Sequence, residues 1–119
     1  MNFAFANVAT GSTDAAVTNP VTGAALAAVA GQKIRVYALD MVTDDTASNV
    51  TFYSNPSSGN STAISPLYAL GVNGGMVLPY SPKGWFETLP GETLGVTTAA
   101  AGGTVGVHVV YEYLPGNAS

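Results

Sequence analysis

Residues 73–94 read NGGMVLPYSPKGWFETLPGETL. This stretch holds the only tryptophan, three of the seven prolines and two of the seven acids. A short apolar run (Met76, Val77, Leu78) meets Pro79 and Ser81-Pro82, then the aromatic pair Trp85-Phe86, then Pro90-Gly91. Proline presets φ and glycine supplies positive φ, so these dipeptides punctuate the chain as turns. The runs between them are too short for helices. The pattern predicts strand, turn, strand, turn, strand, with a large aromatic anchor in the middle.

The same reading extends in both directions. In residues 104–114, TVGVHVVYEYL, the set Val105, Val107, Val109, Tyr111 and Tyr113 alternates with Gly106, His108, Val110, Glu112 and Leu114, the strongest strand pattern in the chain. Residues 33–42, KIRVYALDMV, place Ile34, Val36 and Ala38 on one face and Lys33, Arg35, Tyr37, Leu39 and Met41 on the other. Both faces carry apolar side chains towards the end of that run, which suggests cover on both sides by a second sheet or chain. Residues 49–54, NVTFYS, follow after the polar turn TDDTAS, and the two runs read as a hairpin.

Weaker stretches complete the picture. Phe3 and Phe5 mark a period of two near the start, a strand or an extended arm. Residues 9–19 read as loop with at most a short strand at 15–17, followed by turns at Asn19-Pro20 and Thr22-Gly23. Residues 24–30, AALAAVA, have the propensity of a helix but barely two turns of length, so a strand is favoured by the neighbouring pattern. NPSSGNS at 55–61 is loop, Pro66 weakens the strand at 62–70, and 99–103 is a small-residue loop. The sum is an all-β chain of about eight short antiparallel strands with turn signals every ten residues or so. That describes a single-domain β-sandwich of jelly-roll type over residues 24–119, with 1–23 as an N-terminal arm or edge strand.

Composition narrows the partners. A chain of 119 residues can remove about 65% of its unfolded area from water, enough for a core without staples. With no cysteine there is neither a disulfide framework nor a thiolate metal site. Charged residues make up 8%, against about 25% in an ordinary soluble domain, while 47% are hydrophobic. Such a surface suits an assembly that covers much of it. The net charge of −4, with Lys33, Arg35 and Lys83 as the only cations, argues against nucleic acid and against anionic membranes. The start MNFAFANVATGS has no basic region followed by an apolar core, so no signal peptide is expected.

Chemistry is sparse. His108 is the only histidine and lies within a strand, where a hydrogen-bonded or solvent-facing role outweighs that of a base lacking a nucleophile. Asp40, Asp44 and Asp45 cluster around one turn; carboxylates on a loop suit calcium, but the spacing is not that of an EF-hand, and acidic turns are common in hairpins. Glu87 and Glu92 read as two solvated turn acids rather than a glycosidase pair. The three Asn-x-Ser/Thr sequons, at Asn49, Asn60 and Asn117, read as chance in a chain rich in these residues. Tyr80, Trp85 and Phe86 near turns admit a sugar-stacking platform. Packing of a core or a subunit interface is the favoured role, because few polar side chains flank them to hold hydroxyls. No cofactor is expected, and the candidate contact residues are Phe3, Phe5, Tyr80, Trp85 and Phe86.

The segment 73–96, NGGMVLPYSPKGWFETLPGETLGV, preceded by GQKIRVYALDMV and NVTFYSN and followed by VGVHVVYEYLP, resembles small β-sandwich proteins encoded in the structural gene clusters of tailed bacteriophages. These are the head decoration (cement) proteins and the related domains of head fibres. The likeness covers residues 24–114 and leaves 1–23 outside it. It implies a non-enzymatic virion protein, made in the host cytoplasm, that binds the major capsid protein on the outer capsid as a homotrimer at three-fold or local three-fold positions. The alternative it leaves is a host-surface or carbohydrate-binding adhesin or head-fibre domain. On the cement reading Trp85-Phe86 anchors a core or a subunit seam, and Trp85→Ala is expected to cost about 3 kcal/mol or more. On the adhesin reading Trp85→Ala folds normally and loses glycan binding.

Overall fold

The computed structural model describes residues 2–9, 15–17, 26–44, 46–56, 59–98 and 103–119. The turns expected at Asn19-Pro20 and Thr22-Gly23, most of the loop at 99–103, and Ala24, Ala25 and Asp45 lie outside them. Among the described residues ten β-elements run in order: β1 (Asn2–Ala9), β2 (Ala15–Ala16), β3 (Gln32–Thr43), β4 (Ser48–Asn55), β5 (Thr62–Ala63), β6 (Tyr68–Leu70), β7 (Gly75–Leu78), β8 (Phe86–Glu87), β9 (Thr93–Thr98) and β10 (Thr104–Pro115).

They form two antiparallel sheets. In the first the order is β1-β10-β3-β7, with β8 continuing the β7 edge along β3; in the second it is β2-β9-β4-β5, with β6 continuing the β5 edge along β4. Each continuing pair is one edge strand interrupted by a loop. Merging each pair leaves four strands per sheet, the first sheet taking the first, eighth, third and sixth strands and the second taking the second, seventh, fourth and fifth. This interleaving is the jelly roll. Among the described residues no helix is long and apolar enough to cross a membrane.

Three local expectations change. The runs at 33–42 and 49–54 are not a hairpin, because β3 belongs to the first sheet and β4 to the second. Their connection is a corner. Asp44 holds it by accepting the N–H groups of Thr46 (3.1 Å) and Thr104 (2.9 Å) on its carboxylate and that of Asn73 on its carbonyl. It also lacks the two-residue Asn-Gly or Asp-Gly turn that closes a tight hairpin. Second, the described part of 24–30 is irregular. Only Leu26 is buried, and Ala27–Ala30 lie exposed, since alanine has little side chain to pack on a pleated surface. The carbonyls here are met by side chains, that of Leu26 by the Thr93 hydroxyl and that of Ala27 by Tyr113.

The third change is the phase of β3. Its register with β10 matches Ala38 to Val110 but Val36 to Tyr111, leaving Tyr37 as an extra residue. This bulge shifts the alternation by one position. Ile34, Val36, Leu39 and Met41 therefore all point into the core, and Ala38, Asp40 and Val42 point out. The apparent apolar content of both faces was one apolar face read through a phase slip.

The core is closed by contact between the sheets. Phe52 of β4 stacks on Phe86 of β8 at 4.9 Å and meets Tyr68 edge-on at 6.4 Å. Val50, Leu94 and Val96 from the second sheet face Val105, Val107, Val109 and Tyr111 from β10. The aromatic anchor of 73–94 is thus Phe86, 8% exposed, and not Trp85, 43% exposed. Beside it Thr88 extends the pairing of β8 with β3. Its N–H donates to the Ile34 carbonyl, and its hydroxyl accepts the Ile34 N–H.

Two of the three cations serve the fold. Lys33 and Arg35 are buried and share the Glu87 carboxylate, Arg35 at 3.0 Å; Lys33 also donates to the Ala118 carbonyl and Arg35 to that of Ser119. Gly84, at φ +78, lies against the Arg35 stem, where a Cβ would come within 2.6 Å of Cγ. Burial pushes the Glu87 carboxyl up, but hydrogen bonds and charge from Lys33 and Arg35 outweigh it and hold the group below its ordinary 4.5.

Two outcomes test this account. Thermal and urea unfolding should show Phe86→Ala losing about 3–5 kcal/mol, against about 1–2 kcal/mol for Trp85→Ala, whose indole makes one hydrogen bond at the surface. A depressed carboxyl contributes stability above its unfolded value and loses it as pH falls through the folded one. Glu87→Gln should accordingly be less stable than the wild type at neutral pH, and the gap should close as pH drops below 4.5. A gap independent of pH would refute the assignment.

Candidate functional site

The outer face of the first sheet is where exposed apolar side chains collect. Cross-strand pairing aligns Phe5, His108, Asp40 and Val77 in one row, and Phe3, Val110 and Ala38 in the next. β1 turns its small residues inward, with Ala4 fully buried, and its two phenylalanines outward. Phe3 is 57% exposed, Val77 71% and Val42 59%. Tyr80, in the loop between β7 and β8, lies on the same side and stacks at 5.9 Å on Tyr37, the bulged residue. Trp85 follows in that loop, and its indole N–H donates to the Pro79 carbonyl at 2.7 Å, closing the turn.

Of the residues singled out from the sequence, Phe3, Phe5, Tyr80 and Trp85 are surface residues associated with this sheet, while Phe86 lies inside the sandwich. Residues without a sequence signal complete the face. Ala38 is small, and its neighbours Val77, Pro79 and Val110 are bulkier, so an open hollow of about 170 Å³ forms over it. Asp40 and His108 border the hollow, with Nδ1 and Oδ1 3.6 Å apart, and the imidazole lies parallel to the Phe3 ring at 5.6 Å. In the sequence His108 and Val110 fall among the positions of β10 that alternate with the core valines, and the phase slip in β3 hid the outward direction of Ala38 and Asp40.

The chemistry this arrangement supports is contact. The walls of the hollow are aliphatic, and no hydroxyl or thiol lines it to act as a nucleophile for His108. Asp40 faces outward and Asp44 binds backbone N–H groups; among the described residues no group of three His, Cys, Asp or Glu could hold a metal ion. Glu87 and Glu92 are not free turn acids. The first is held by Lys33 and Arg35, and the second accepts the hydroxyl of buried Ser54 at 2.8 Å. Ser54 in turn accepts the Leu89 N–H, so this acid ties the turn before β9 to β4.

Comparison of the chain with protein-family models, with curated proteins and with solved structures finds no match.

Proposed function

We propose that this chain is a non-enzymatic structural protein of a virion, a cement or decoration protein that binds the outer capsid and stabilises it. The observation that carries the reading is the outer face of the first sheet, where Phe3, Phe5, Val42, Val77, Tyr80 and Trp85 stand exposed. Single chains seldom expose contiguous apolar patches beyond about 300–600 Å², and larger ones mark contact surfaces. The likeness of residues 73–96 to phage decoration proteins supplies the kind of contact. The partners are the major capsid protein and two further copies in a homotrimer. Closed symmetry covers edge strands that would otherwise template aggregation. Contacts made only in the assembled shell stabilise it by mass action and slow its opening. Nucleic acid is disfavoured because Lys33 and Arg35 are engaged with Glu87, leaving Lys83 alone for phosphate.

A second reading, a glycan-binding adhesin or head-fibre domain, draws on Tyr80 stacked over Tyr37 with Trp85 nearby. It is the weaker, since the indole N–H that would serve a sugar is held by Pro79.

The test adds purified chain to capsids of its own virus that lack it. Binding should raise the melting temperature of the shell, and Phe3→Ser with Val77→Ser should weaken binding at least about tenfold while leaving the chain's own melting within a few degrees. Unchanged binding by the double variant would move the contact elsewhere. Absence of binding, with tryptophan fluorescence that responds to host polysaccharide and is lost in Tyr80→Ala, would select the adhesin.

A further inference from the structure

The hollow over Ala38 has a size, a lining and a charge that together specify what fits it. An apolar cavity of about 150 Å³ accommodates a benzene molecule. At about 170 Å³, this one takes a single Leu- or Phe-sized side chain between Val77 and Pro79 on one side and Val110 on the other. Asp40 stands at its rim, 51% exposed. A partner seated here removes water from that carboxylate, and burying a carboxylate without a donor is strongly unfavourable. His108 Nδ1 is 3.6 Å away, beyond hydrogen-bond distance, so it does not serve as that donor. The other ionisable group on this side of β10, Glu112, is also acidic. The face therefore calls for a cation from outside.

This chain does not supply one with a suitable side chain attached. Lys33 and Arg35 are buried against Glu87, and Lys83 sits between Pro82 and Gly84 with no Leu- or Phe-sized neighbour joined to it. We infer that the hollow receives one Leu- or Phe-sized side chain from a different protein, and that a Lys or Arg adjoining that residue pairs with Asp40. The inference rests on the reading of this face as a docking surface and adds the chemistry of the partner. It makes Ala38, Val77 and Val110 the socket and Asp40 the residue that selects among apolar partners.

The experiment is a ¹H–¹⁵N titration of the full chain with blocked dipeptides at millimolar concentration: acetyl-Leu-Arg-amide, acetyl-Leu-Glu-amide and acetyl-Ala-Arg-amide. The first should shift the amides of Ala38, Asp40, Val77 and Val110 and bind about two- to fivefold more tightly than the second, the range of a solvent-exposed ion pair. The third should produce no saturable shift. Asp40→Asn should equalise the two leucine peptides, and Ala38→Leu, which fills the hollow from below, should abolish both. If Ala38→Leu does not fold, the Asp40→Asn comparison still decides. Equal binding of Leu-Arg and Leu-Glu by the wild type would overturn the inference, as would shifts confined to other residues or none at all. Capsid binding that survives such a result would leave the docking face standing without this partner chemistry, whereas loss of capsid binding would remove the face itself.

Discussion

Everything on the two faces of the first sheet depends on one extra residue. Tyr37 enters β3 without a partner on β10 and reverses the alternation from that point on. Before it, Ile34 and Val36 point inward with Lys33 and Arg35 outward. After it, Leu39 and Met41 point inward and Ala38, Asp40 and Val42 outward. Removing a residue here would send Leu39 and Met41 to solvent and Asp40 into the core, since a slip of one position exchanges the faces of a strand. The bulge also lifts Tyr37 to the outer side, where Tyr80 stacks on it and the loop between β7 and β8 finds its seat. Core, hollow and aromatic loop are three results of the same insertion.

Much of this was legible from residues. The turns in 73–94, the long alternation of β10 and the all-β character follow from side-chain size, branching and proline placement, which act locally. Two kinds of feature were not. Pairing partners are non-local, so the corner between β3 and β4 reads as a hairpin in sequence although its strands belong to different sheets. Direction is relative, so Phe3 and Phe5 showed a period of two without showing that Ala4 and not the phenylalanines faces the core. The same holds for Trp85 and Phe86. Adjacent residues in a strand point to opposite sides, and which one enters the interior is decided by Phe52 on the other sheet.

The candidate site was the harder half. Exposed aromatics could be named from their turns, but Ala38, Val77 and Val110 carry no individual signal. They matter because β3, β7 and β10 set a small side chain between larger ones. Asp40 was visible only as one of three acids around a turn, of which Asp44 binds backbone N–H groups instead. Side-chain chemistry at this site comes from what the register places next to each residue.

The triad of buried Lys33 and Arg35 with half-buried Glu87 bears on how copies of the chain meet one another. The triad holds two positive charges and one negative, a net +1, so the rest of the chain carries −5 out of the formal −4. The total of −4 is what neighbouring molecules sense at a distance, with Lys83 as the one cation outside the triad. Packed side by side, such molecules repel through their acids over a Debye length of about 8 Å at physiological salt. Charge of one sign thus opposes unspecific contact between copies, even in a chain so poor in charge.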